Sequence, residues 1–117
     1  MKADKLSQMP NLKDYKLIAD QCIEPYFNTI VNMLNDHVVR MGIMTKPYPW
    51  HLHPDSDETF IGVEGTVIIE TPEGIFELTP GTSITIPCNM AHRTRPKGDR
   101  SVNLTIEKAT MQTVFIE

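Results

Sequence analysis

The sequence predicts an all-β fold, a sandwich or barrel formed by a single domain, and three observations carry that reading. From Tyr26 onward the chain is a succession of short runs rich in Val, Ile, Thr and Phe. Turn-forming Asn, Asp, Gly and Pro separate these runs at short, regular spacing. His51 and His53 stand one residue apart, and a strand, whose side chains alternate with period two, points both to the same face. A chain of 117 residues has room for one real core and not for a second. With 40% hydrophobic and 22% charged residues, the composition is that of an ordinary globular protein and not of a disordered one.

The charge balance narrows the partners. A net charge of -4 argues against nucleic acid, because phosphate binding shows up as a basic excess or a clustered basic face. No apolar stretch approaches the roughly 18 residues a membrane span needs, so no membrane partner is expected. The opening MKADKLSQMP lacks the apolar run of a signal peptide, and the sequence reads as cytoplasmic. Cys22 and Cys88 lie far apart and outside any CxxC arrangement, which in a reducing compartment makes them two free thiols.

Taken in order, residues 1–25 read as an N-terminal extension and residues 26–117 as the β domain. Met1 to Pro10 is polar and without a period, a tail or an edge segment. Asn11 is placed to cap a short helix with Leu12, Tyr15, Ile18 and Cys22 on one side, although the same residues allow an extended reading. FNTIVNML and HVVRMGIM are two strands around an Asn35-Asp36 turn. TKPYPW breaks the pattern, since Pro47 and Pro49 bar a central strand position, and delivers the chain to His51. VEGTVIIE is a strand broken at Gly65, TPEG a turn, IFEL a short strand, TPG a turn and TSITIP a strand. CNMAHRTRP carries His92, PKGDR turns, and SVNLTIEK and MQTVFIE finish the sheet. In SVNLTIEK, Val102, Leu104 and Ile106 alternate with Asn103, Thr105 and Glu107, which gives one apolar face.

The chemistry concentrates in WHLHPDSDETFIGVEG, Trp50 to Gly65. If Pro54 to Asp57 is a tight connection, Glu58 returns on the neighbouring strand within reach of His51 and His53. Together with His92 these residues offer three nitrogens and one carboxylate, a donor set for a divalent transition metal. Burying three imidazoles and a carboxylate in a small barrel without an ion would be costly, because buried polar groups need partners. His37, beside the Asn35-Asp36 turn, reads instead as a hydrogen-bonded surface residue.

The order and spacing of these residues resemble the cupin superfamily. His51-x-His53-x4-Glu58-x6-Gly65 is similar to the later part of its first motif, and Gly81-x5-Pro87 followed by His92 to its second. The short loop between the motifs resembles that of the small single-domain cupins labelled mannose-6-phosphate-isomerase-like. The resemblance implies a double-stranded β-helix, a jelly-roll-like barrel, from about Tyr26 onward, with His51, His53, Glu58 and His92 as metal ligands. Three positions depart from the pattern: Gly42 lies nine residues before His51, Asn89 stands where the second motif has glycine, and Pro96 where it has asparagine. None is a ligand, and Asn is the non-glycine residue that best tolerates a left-handed backbone.

Around the ligands, Gly65, Gly74 and Gly81 are expected to turn the chain with positive φ. Asp55 and Asp57 flank the ligands, either supporting them or solvated in a loop. Arg93 alternates out of phase with His92 and faces away from the metal, whereas the facing of Arg40 stays open; turned inward, it would hold an anionic ligand. Met33, Met41, Met44 and Met90 read as barrel filling, with Met90 lining the pocket by its parity with His92.

The function expected is that of a small metal-binding cupin, a metal-dependent enzyme acting on a small organic molecule, with Fe, Mn, Ni, Cu or Zn as cofactor. Dioxygenase-like chemistry is favoured over isomerase or epimerase chemistry, because apart from Tyr48 and Glu70, both of open facing, the sequence nominates no proton-transferring base. A non-catalytic ligand-binding or sensing module is the reading from another class. Apolar residues at both parities of FNTIVNML and HVVRMGIM leave one face in need of cover. A homodimer would supply it, or else the segment from Asn11 to Cys22.

Overall fold

In the computed structural model, which describes residues 10–116, one short helix precedes a series of antiparallel strands. The expectation for Met1 to Pro10 lies outside the described residues except for Pro10. Helix α1 (Tyr15–Gln21) starts three residues later than Asn11 would have it. Asp14 is the N-cap, its Oδ1 accepting from the Leu17 N–H at 3.0 Å, a contact that contributes about 1 kcal/mol to a helix. Tyr15, Ile18 and Cys22 do share a face that packs inward, but Leu12 is 97% exposed and takes no part in it.

The described strands, numbered in chain order, form two five-stranded sheets. In the first, β1 (Tyr26–Leu34) and β2 (His37–Met44) form the expected hairpin, with Asn35 at φ 54 in its turn. β9 (Ser101–Lys108) lies between β2 and β4 (Glu58–Glu64), and β7 (Ser83–Ile86) closes the far edge. In the second, β8 (His92–Pro96) lies between β3 (Tyr48–Leu52) and β5 (Val67–Thr71), with β6 (Gly74–Leu78) and the two-residue β10 (Val114–Phe115) outside. Of the described part of MQTVFIE, then, only two residues are strand. Pro49 lies within β3, next to the edge strand, where the register with β8 slips between Tyr48 and His51. The slip accommodates a residue that has no N–H to donate.

The two faces of the first sheet carry opposite chemistry. Val102 and Leu104 of β9, Met41 and Ile43 of β2 and Val31 of β1 point away from the barrel axis and are sealed by Ala19 of α1, 1% exposed, with Tyr15 and Ile18 beside it. The segment before Tyr26 therefore supplies part of the core of the β domain. Asn103, Thr105 and Glu107 share the opposite parity and point inward, where all three are buried. The apolar face of SVNLTIEK is thus the outer one, under the helix, and the polar face lines the barrel. A second apolar cluster, built on Met44, Phe60, Val67, Ile69, Leu78 and Ile86, joins the two sheets. Beside it a cavity of about 410 Å³ stays open among polar side chains.

Candidate metal centre

His51 and His92 are direct register partners on β3 and β8, their ring centroids 4.2 Å apart, because parity on both strands turns them into the barrel. His53 follows just after β3, with its ring 5.0 Å from that of His51 and 5.3 Å from that of His92. Glu58 opens β4 of the other sheet and reaches across, its Oε1 3.2 Å from Nε2 of both His53 and His92. One donor atom from each of the four residues lies within 4.8 Å of the others, and all four residues are buried. The structure thus brings together every residue that the spacing nominated, and this cluster could hold a metal ion.

The backbone fixes the tautomer of each ring. Nδ1 of His51 lies 2.8 Å from the Pro49 carbonyl, Nδ1 of His53 2.9 Å from that of Gln112, and Nδ1 of His92 3.0 Å from that of Met90. A carbonyl only accepts, so in each ring Nδ1 carries the hydrogen and Nε2 presents its lone pair to the cluster. With Nδ1 donating to Gln112, the buried Nε2 of His53 has only the Glu58 carboxylate before it among the described residues, and with no hydrogen of its own it makes no bond there. Lone pairs converging on a carboxylate repel unless a cation lies among them, so the residues present fit a divalent ion.

Without an ion, a proton does part of that work. Burial holds the His51 pKa down, at about 4, with the neighbouring His92 and His53 acting in the same direction. At His53 burial again opposes the charge, but the hydrogen bond to Glu58 and its negative charge prevail and raise the pKa. Burial likewise opposes ionisation of Glu58, yet hydrogen bonds to His53 and His92 hold its pKa below the ordinary carboxylate value. A metal would therefore displace a more firmly held proton at His53 than at His51.

Loops around the cluster are tied to it by their own side chains. Asn89 takes φ 68, the left-handed turn expected of a glycine substitute, and its N–H donates to the His53 carbonyl at 2.8 Å. Asp57 Oδ1 accepts from the Cys88 N–H at 2.9 Å, and Asp55 Oδ1 from the Gln112 N–H at 3.0 Å. Both aspartates thus support the site. The stretch after β9 crosses from one sheet to the other, places Met111 and Thr113 on the cavity wall and pairs with β3 as β10.

Other expectations sort by facing. Tyr48 lines the cavity, edge-on to His51 at 5.0 Å, and stacks on Tyr26 at 4.9 Å. Glu70 points outward and pairs with Arg93 and Arg95, while Arg93 also lies over the Trp50 ring at 5.0 Å. Met90 packs into the apolar cluster and not on the cavity wall; Met111 takes that place. Of the methionines read as filling, Met33 is 68% exposed. Arg40 faces the cavity, its Nε donating to Glu107 Oε2 at 2.8 Å. Sequence reasoning missed Glu107, Asn103 and Thr105, although their common parity on β9 was a signal that they face one environment.

The model of the cupin domain family matches residues 39–106, a span that includes all four residues of the cluster. The chain belongs to the cupin family. A relative from Bacillus subtilis (strain 168), the uncharacterized protein YdbB, is 40% identical over 113 residues, 96% of each chain. A crystal structure of a cupin-2 domain containing protein from Shewanella frigidimarina NCIMB 400 superposes with TM-score 0.76 at 23% identity, over 83% of this cupin and 94% of that chain. A conserved protein with a double-stranded β-helix domain from Klebsiella pneumoniae superposes with TM-score 0.77 at 13% identity, over 93% of this cupin and 99% of that chain. The architecture is the double-stranded β-helix that the motifs implied.

Proposed function

We propose that this cupin is a metal-dependent enzyme that moves protons on a small organic substrate, as an isomerase, epimerase or lyase. His51, His53, Glu58 and His92 would hold the ion, one of Fe, Mn, Ni, Cu or Zn, which supplies Lewis-acid polarisation of a substrate oxygen when bound. The observation that carries the reading is Glu107. It is 1% exposed on the inward face of β9, Oε2 held by Arg40 and Oε1 unpartnered among the described residues. Continuing the β4–β9 register by one step beyond Thr59 and Ile106 sets it beside Glu58. In the metal-free protein burial, and next the charge of Glu58, push its pKa up to about 7; with Glu58 on an ion, burial still favours the protonated carboxyl, which suits a group that gives and takes a proton.

Tyr48 completes the set. Burial, then the charge of Glu58, raise its pKa, so the phenol keeps its proton and can donate it to an oxygen that gains charge. The reason for favouring oxidative chemistry was the want of a proton-transferring group beside the ligands, and Glu107 and Tyr48 remove it. Incubating metal-loaded protein in deuterium oxide with 2-hydroxy acids, 2-keto acids and aldoses, while following carbon-bound deuterium by NMR and dissolved oxygen by electrode, tests the reading. Deuterium incorporation without oxygen uptake is expected. Oxygen consumption matching substrate loss would overturn it in favour of dioxygenase chemistry.

A further inference from the structure

The inward face of β9 holds more unmet hydrogen-bonding capacity than the metal cluster uses. Among the described residues, Ser101 Oγ, Asn103 Oδ1, Thr105 Oγ1 and Glu107 Oε1 are all buried, all on one parity and all without a partner. Buried polar atoms without partners are few in native proteins, and a run of them along one strand marks a surface completed by something else. Asn103 and Thr105 line the cavity directly. Arg40 faces the same space from β2, as the register partner of Thr105. Its Nε serves Glu107 at 2.8 Å and its Nη1 reaches Asn28 at 3.4 Å, which leaves the remaining guanidinium hydrogens free for a ligand.

We propose that this wall is the substrate's anchoring subsite and that the substrate is a small hydroxylated carboxylic acid, with its carboxylate on Arg40 and its hydroxyls on Asn103 and Thr105. The assignment rests on the metal-dependent reading above, since the far end of the molecule is what reaches the histidines. Arg40, Thr105 and Phe60 are neighbours across β2, β9 and β4, and strands lie about 4.8 Å apart, so Arg40 and Phe60 stand roughly 10 Å apart along the sheet. Glu58 is two residues along β4 from Phe60 and lines the same cavity as Arg40, so a chain acid such as gluconate held at Arg40 extends along this wall toward the cluster. A guanidinium selects a planar carboxylate by paired hydrogen bonds, which a neutral amide cannot reproduce.

Calorimetric titration of gluconate, gluconamide and hexanoate into zinc-loaded and metal-free protein tests the subsite, with zinc content measured on each sample. Gluconate is expected to bind about tenfold or more tighter than gluconamide in both forms, as a charge-assisted hydrogen bond implies. That advantage disappears in Arg40→Met and returns in part in Arg40→Lys. Hexanoate is expected to bind about tenfold more weakly than gluconate, with the gap narrowing in Thr105→Val. Because Arg40→Met leaves Glu107 buried without its cation, the double variant Arg40→Met, Glu107→Gln serves as the folded control. Equal binding of gluconate and gluconamide, no binding of gluconate at millimolar concentration, or a preference that survives the loss of Arg40 would overturn the subsite. Failure to retain zinc would instead overturn the metal reading, and the metal-free titrations would still decide the subsite.

Discussion

The carbonyl of Gln112 accepts the Nδ1 hydrogen of His53 at 2.9 Å, so the stretch after the last long strand decides which nitrogen His53 offers to the centre of the barrel. Gln112 is in turn held by Asp55, whose Oδ1 accepts its N–H at 3.0 Å. Asp55, Gln112 and His53 form a chain of two hydrogen bonds that ends on a candidate ligand. Groups that orient a metal-binding histidine typically change affinity by about 10- to 100-fold when removed. Asp55→Ala is therefore expected to weaken zinc binding about tenfold in chelator competition while the circular dichroism spectrum stays unchanged. Asp55→Asn, which keeps an acceptor at that position, is expected to restore most of it. Unchanged affinity in Asp55→Ala would mean that the backbone holds Gln112 without help.

Removing a candidate ligand has a larger effect. His51→Ala and His92→Ala each take a buried nitrogen from the cluster but leave both apolar cores untouched. Both variants are expected to fold and to lose most of their metal, seen by elemental analysis of protein purified under identical conditions. Any activity falls in step with the metal. Full occupancy in either variant would show that the residue is not a ligand.

Much of this site was legible in the sequence because its signals are local. His51-x-His53 fixes a common face through strand period alone, and Asn89 takes the left-handed turn expected of it because it stands where the resembled motif has glycine. The inner wall was harder to read because polar residues at alternate positions are the usual mark of a solvated face. On β9 that pattern points inward, and the apolar positions are covered instead by α1 from the far end of the chain. The facing of Arg40 follows from its pairing with β9, a partner more than sixty residues away, with Arg40 and Glu107 separated by 67 positions. Glu107 was missed for the same reason: its importance depends on standing beside Glu58 on another strand.

Glu107 and His51 give the metal-free protein opposing responses to pH. Burial and the charge of Glu58 raise Glu107 from the ordinary 4.5 to about 7, so between these values the folded state binds more protons than the unfolded chain. Its contribution to stability is therefore present at low pH and is lost as pH rises through about 7. His51, lowered by burial from 6.5 to about 4, acts in reverse: the unfolded chain takes the proton first, and stability is lost as pH falls from 6.5 towards 4. In Glu107→Gln the first response disappears and the second remains. Thermal melts of metal-free protein are expected to show the variant gaining on the wild type as pH rises from about 5 to about 8. Parallel curves would place the Glu107 pKa near its ordinary value.

The last expectation concerns assembly, where the cover that α1 provides changes the argument. The outer face of β1 and β2 was expected to need a partner, but Val31, Met41 and Ile43 are buried under the helix of the same chain. What remains exposed is on β1 itself: Ile30 at 45%, Met33 at 68% and Leu34 at 47%. This strand of nine residues is an edge of the first sheet, and YFNTIVNML contains neither a charge nor a proline to discourage pairing. Its register irregularity between Ile30 and Asn32 twists the edge locally, where the Asn32 side chain donates to the Asn11 carbonyl at 3.1 Å. Long, uncharged, apolar edges pair with other chains unless something blocks them, and two-fold pairing of identical edges is the simplest closed arrangement. We propose that the protein forms a homodimer through β1. Sedimentation at micromolar concentration is expected to give twice the chain mass of 13.3 kDa, and Met33→Lys is expected to give monomer with an unchanged melting temperature of the metal-loaded form. A wild-type monomer would show that α1 gives the sheet all the cover it needs, and a dimer unaffected by Met33→Lys would move the interface to the exposed Ile75 and Phe76 of β6.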